Sequence, residues 1–153
     1  MRLAEAKEAK LQGANLSEVQ AQKAIFIDAD FSGSSLHSID VEEGDLSGAK
    51  LIATDLIKSN MQKCRLRGAM LQQAKLERAI LCHADIEGGN LSDATMNESD
   101  LSNSNLRGAR LERAKLTYAN LSNCHLEGAV LTDAILDNAD TSNTFTDSQT
   151  QLP

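Results

Sequence analysis

Three cysteines, three histidines and many Ser, Asp and Glu residues are the side chains of this 153-residue chain that could do chemistry. Cys64, Cys82 and Cys124 are of the type that forms disulfides, binds zinc or attacks as a nucleophile. His37, His83 and His125 are of the type that ligates metals or moves protons. Their spacing fits none of these roles. Cys82 and His83 are sequence neighbours, but no second pair accompanies them at the spacing of a zinc site. No Ser lies in a Gly-x-Ser-x-Gly elbow, and no Gly-rich loop leads into a helix. The expectation is no catalytic residue, no cofactor and no metal: the chain is not an enzyme.

Charge excludes further classes. Fifteen Lys+Arg against 22 Asp+Glu leave a net charge of −7, and a general nucleic-acid binder would need a basic stripe instead. No apolar run approaches the length of a membrane span. The first residues, MRLAEAKEAK, lack the apolar stretch of a secretory signal, so a cytoplasmic protein is expected, with its thiols reduced.

The elements that must position these side chains follow from one rule. Of 21 Leu residues, 19 have numbers ending in 1 or 6, from Leu11 to Leu136. Of 20 Ala residues, 17 end in 4 or 9, two places earlier. Between positions 9 and 138 the chain reads as 26 pentads of the form Ala-x-Leu-x-x without a slip of frame. The Leu place is apolar throughout, with Ala21, Phe26, Phe31, Val41, Met61, Ile86 and Met96 as the variants. The residue between Ala and Leu is often Asp or Asn, as at Asn15, Asp30, Asp55, Asp85 and Asn120.

A period of five matches neither the 3.6 of a helix nor the 2.0 of a strand. It describes a chain that turns a corner every pentad and points one large and one small side chain inward each time. Gly48, Gly68, Gly88, Gly108 and Gly128 recur at intervals of 20 in the last place of their pentads, where a turn asks for positive φ or lacks room for Cβ. The same corner therefore returns every four pentads. The cross-section should be four-sided, with coils about 4.8 Å apart.

Ala14-Asn15-Leu16, Ala29-Asp30-Phe31, Ala84-Asp85-Ile86 and Ala119-Asn120-Leu121 resemble the A(D/N)LXX motif of the pentapeptide-repeat family. That resemblance implies an all-β, right-handed quadrilateral β-helix with Leu and Ala stacked inside. The 26 pentads make about 6.5 coils and a rod of about 30 Å. Residues 1–8, rich in Ala, Glu and Lys, are expected to form a short capping helix, with an early start of the coil as the alternative. Residues 9–138 are the β-helix, and 139–153 a loose polar tail, with Phe145 against the last coil.

The frame also places the reactive side chains. Cys64 and Cys124 fall on the small inward position, three coils and about 14 Å apart, too far for a disulfide. Arg67, Glu87, Arg107 and Glu127 stack in one outward column, and Lys10, Asp30 and Lys50 in another, where opposite charges should pair. An acidic collar that includes Asp40, Glu42, Glu43 and Asp45 precedes a basic one with Arg65 and Arg67. Ile25 and Ile27, Ile52, Ile57 and Met70, and Val130 and Ile135 point outward where polar residues are expected. Ile25 and Ile27 would lie under the N-terminal cap, and Val130 and Ile135 under the tail or a second subunit. Collars and apolar groups together are the candidate interaction surface.

The expected function is a non-enzymatic structural or interaction module that binds a protein of unknown identity, with no direct nucleic-acid or membrane binding. A rod end is a candidate surface for a homodimer. The alternative comes from the resemblance: some members of the family mimic a DNA duplex and bind type II topoisomerases. That needs a continuous acidic face, whereas here the columns alternate in sign. Many members occur in cyanobacteria.

Overall fold

The computed structural model describes residues 5–153. Its backbone is a stack of parallel bridges that join each residue numbered in multiples of five to the residue twenty further on. Four ladders result, begun by Glu5, Lys10, Asn15 and Gln20. Each is named here by its first residue.

One pentad shows why the unit repeats. Met70 donates its N–H to Ala49 (2.9 Å), Leu71 to Asn90 (2.7 Å) and Gln73 to Ser92 (3.1 Å), while Ala74 closes a turn onto Leu71 (3.0 Å). The turn residue before each small position has positive φ, and no other place in the pentad does. These are the i to i+3 bond and left-handed third residue of a type II turn. Every corner from Glu8 to Asn143 takes this form, at twenty-one non-glycine residues and seven glycines. The glycine column is thus not what the corner demands. A Cβ added at Gly68, Gly88 or Gly108 would meet nothing within 4 Å.

Only the N–H of the residue after Leu lacks a place in this scheme. The Asp or Asn before Leu supplies one. Among the described residues twelve ladder positions hold Asp or Asn, and in all twelve the side-chain oxygen accepts the N–H two residues on. The bond runs from Asn15–Ser17 at 3.0 Å to Asp140–Ser142 at 2.9 Å. It is an Asx turn, and short polar side chains suit it best.

Inside, the Leu and Ala places are closed to solvent over the middle of the rod, and partly open at Leu11, Leu16, Ala21 and Leu136 near its ends. Phe26 and Phe31 meet edge to face at 5.2 Å. Polar atoms in the small position reach carbonyls in the neighbouring coil: Thr54 Oγ1 to Phe31 O, Cys64 Sγ to Val41 O and Cys124 Sγ to Leu101 O, each 2.9 Å.

Both ends differ from expectation. In place of a capping helix, residues 5–8 already run in the first coil. Glu5 bridges Ile25, and Ala6 donates to Ile25 O at 2.8 Å; the rest of the expected cap, 1–4, lies outside the described residues. The segment 139–153 is not loose: Asp140, Phe145 and Gln151 continue three ladders. The frame slips by one residue there, since Val130 pairs with Gln151. Asp147 manages the slip. Its carboxylate accepts the N–H groups of Gly128 (2.9 Å), Gln149 (2.9 Å) and Thr150 (3.0 Å).

Candidate functional site

The thiols and imidazoles do not converge. Burial pushes the Cys64 thiol up to about 12 and also raises Cys82 and Cys124, so none is held as a thiolate. All three are free. Each of two histidines instead meets a carboxylate: His37 stands 3.9 Å from Asp55, and His125 stands 3.3 Å from Glu127. An Arg107 Nη2 lies 2.6 Å from His125 Nδ1, and Phe145 stacks on the imidazole with centroids 4.5 Å apart. Among the described residues no group of three or more His, Cys, Asp or Glu is placed to hold a metal ion.

The charged collars are held together by the structure. Arg65 reaches Asp45 at 3.2 Å. Lys63 lies 3.9 Å from Glu42 and 3.7 Å from Glu43, and Lys23 lies 3.3 Å from Glu43. Asp40 accepts from Gln22 (2.6 Å) and Asn60 (3.0 Å). Glu42, Glu43 and Asp45 thus pair with Lys63 and Arg65 of the basic band, whereas Asp40 meets only amides and Arg67 turns to the other side of its coil. In the stacked column Arg67 pairs with Glu87 (2.7 Å) and Arg107 with Glu127 (2.9 Å). Arg67 also binds Asp85, and that hydrogen bond is the main cause that raises the pKa of its guanidinium. Asp30 is engaged by Gln12 and Ser32 rather than by an ion pair with Lys10 or Lys50.

The apolar candidates fall into separate places. Met70, 39% exposed, lies on the Lys10 ladder. The register that brings position i onto i+18, as Gln12 onto Asp30 and Gln22 onto Asp40, sets half-buried Ile52 beside it. Ile57 is on the next side, with the Asn15 ladder. Val130 lies under Gln151, but Ile135 is the last residue of its ladder and is exposed. Ile25 lies beneath Glu5 of the first coil. The expected surface is thus three regions: the paired collars, the Ile52–Met70 patch and the C-terminal end.

Ile80 (42% exposed) and Tyr118 (64%) join the outward apolar residues. Ile80 was findable, because like Met70 it occupies the place where Asp or Asn recurs. The C-terminal mouth, a cavity of about 280 Å³ floored by Leu121, Leu126, Leu131 and Leu136, had no signal in the sequence, since it exists only where the stack stops.

The family model for Pentapeptide repeats matches residues 2–38, 45–81, 81–113 and 109–144, in eight copies. The chain belongs to the pentapeptide-repeat family. This family forms right-handed β-helices, which supplies the hand of the coil. No curated protein matches the chain. Among solved structures, a trypsin-treated form of QnrB1, a plasmid-mediated fluoroquinolone resistance protein, is 21% identical with a TM-score of 0.65, over 93% of this chain and 79% of that one. The pentapeptide-repeat protein Rfr23 from the cyanobacterium Cyanothece 51142 is 23% identical with a TM-score of 0.53, over 97% and 91% of the two chains. At these identities the likeness is one of fold.

Proposed function

We propose that this pentapeptide-repeat protein is a non-enzymatic interaction module: a rigid four-sided rod, working in the cytoplasm, whose sides present side chains to a protein partner. The observation that carries this reading is the set of ladder residues that give up the Asx turn. Met70 and Ile80 stand where Asp or Asn would hold the N–H two residues on, and they expose apolar surface instead. Lys, Arg and Ser also stand at ladder places without an Asx turn, but Met70 and Ile80 expose apolar surface there with no gain inside the rod, as contact residues do. Ile52 enlarges the patch at Met70. The fold leaves such positions free, because the core fixes the coil and the outward residues vary around it.

The test is a comparison. The wild-type chain and a Met70→Asn/Ile80→Asn variant are used as bait in native lysate, with quantitative mass spectrometry of what each retains. The reading requires proteins that the wild type captures and the variant loses. Identical sets from the two baits would sink it.

The DNA-mimic alternative has less support, because the ion pairs of Glu42, Glu43 and Asp45 interrupt any acidic face. A gyrase supercoiling assay with and without quinolone is expected to show neither inhibition nor protection by this chain. Protection at low micromolar protein would reverse the order of the two readings.

A further inference from the structure

Inside the rod, each coil offers the same backbone groups to the next. Leu116 N–H bonds Ile135 O (2.8 Å), Tyr118 N–H bonds Asp137 O (2.9 Å), and Ile135 N–H bonds Ala114 O (2.9 Å). One coil later, the equivalent groups on Leu136, Asn138 and Ala134 have no backbone partner among the described residues. At the other end the complementary set is open among the same residues: the N–H and C=O of Glu5 and the C=O of Lys7. An unpaired ladder is a template for another chain. The apolar surfaces match as well. The C-terminal mouth is floored by Leu and rimmed by Thr141, Thr144, Thr146, Leu152 and Pro153, while Ala6, Leu11 and Leu16 of the first coil are only partly buried.

Charge selects the occupant. Beyond Lys115 the chain has no Lys or Arg, but has Glu127, Asp133, Asp137, Asp140 and Asp147. The first coil carries Lys7 and Lys10 among Glu5, Glu8 and Glu18, and neither lysine makes an ion pair among the described residues. Two C-terminal ends brought together would meet acid against acid. The N-terminal end of a second copy presents a mixed edge instead, with two lysines free to meet the acidic end.

We propose that the rod stacks head to tail on a second copy of this chain, with Glu5 of the second copy seated on Ile135 of the first. The register follows from which side is open. It sets Lys7 of the second copy over Asp137 and Lys10 over Asp140, at the ladder spacing of about 4.8 Å. Ala6 and Leu11 then lie over Leu136 and Thr141 and close the mouth. Each contact repeats one already made inside the rod, so the interface is an extension of the coil itself. It is heterologous and does not close, so it grows into filaments rather than stopping at a dimer. This inference is independent of the patch at Met70.

Sedimentation velocity on the 153-residue chain, from low micromolar to near-millimolar protein, reads the outcome. The weight-average mass is expected to rise with concentration without a plateau at the dimer, and negative-stain images should show rods longer than one chain. Lys7→Glu alone and Asp137→Lys alone should each weaken association about tenfold. The two changes in one chain should restore it, because the pair is then reversed and not lost. Circular dichroism of each variant controls for folding; both sites are exposed. A wild type that stays monomeric throughout overturns the proposal. So does a mass that levels off at the dimer, a Lys7→Glu chain that associates like wild type, or a charge-reversed chain that does not recover.

Discussion

Aspartate and asparagine recur before Leu because the pentad leaves one backbone N–H unclaimed and a short oxygen-bearing side chain can take it. Asp100 holds the N–H of Ser102 at 3.0 Å in this way. Asp100→Ala is expected to cost about 1 kcal/mol, the order of a side-chain cap on a backbone donor, and Met70→Asn to add a similar amount; thermal unfolding of both variants checks the pair. A second contact at this scale links the two inward places. Gly44 and Gly89 occupy the small position, three residues after Val41 and Ile86; at Gly44 the atoms nearest an added Cβ are the backbone oxygens of Val41 and Ala24, and at Gly89 the β-branched side chain itself crowds the place. A Cβ at Gly89 would lie 2.9 Å from Ile86 Cγ2 and 3.0 Å from Ile86 O. Gly89→Ala should therefore destabilise by about 1–3 kcal/mol as an overpacked site, and by much less when Ile86→Leu is also present. A double-mutant cycle by chemical denaturation measures that coupling; additivity would show the two sites to be independent. The frequency of Asp and Asn was legible in the sequence. Its cause was not, because only the hydrogen-bond scheme shows which N–H is left over.

The frame of Leu and Ala was legible at the scale of the element, and so was the twenty-residue return. The ends were not. Ala, Glu and Lys favour a helix over 1–8, but helix propensity is worth only tenths of a kcal/mol per residue and short helices nucleate poorly. Ala6 and Ala9 keep the phase, and the ladder below them offers bonds already in place. The glycines of the column do take the positive φ expected of them, but Lys, Arg, Asp and Tyr turn the same corners, so the spacing gave the right coil size without glycine being required there. At the C-terminal end polar composition predicted a loose tail, yet the composition serves a turn. Asp147 replaces the carbonyl that Gly128 N–H would otherwise meet. Its hydrogen bonds, first with Gly128, hold its carboxyl below the ordinary carboxylate range. A carboxylate whose pKa is lowered by folding contributes stability above its unfolded pKa and loses it as pH falls through the folded one. Acidification below about pH 4 should therefore release the last coil before the rest. The protection factors of Leu131 and Gln151, whose amides bond Gln151 O (2.7 Å) and Ala129 O (2.9 Å), should fall there relative to those of the middle coils. In Asp147→Ala, both amides should exchange fast at neutral pH as well.

A rod whose coils touch only their neighbours has no single centre that all its parts depend on. Its interior is nonetheless graded. Leu76 is closed to solvent with a coil on either side, whereas Leu16 has a neighbour on one side only and stays partly exposed. The same truncation should therefore differ in cost along the axis: Leu76→Ala about 2–5 kcal/mol, as for a buried leucine that leaves a cavity, and Leu16→Ala about 1 kcal/mol, because solvent and the open end relax around it. Chemical denaturation of both variants, with hydrogen exchange to show where each opens, measures the gradient. Equal costs would mean that the ends of the rod are as well supported as its middle. Unequal costs would tie the whole molecule to its ends, since anything seated there, a partner or a second copy, would raise the stability of the first and last coils and leave the middle nearly unchanged.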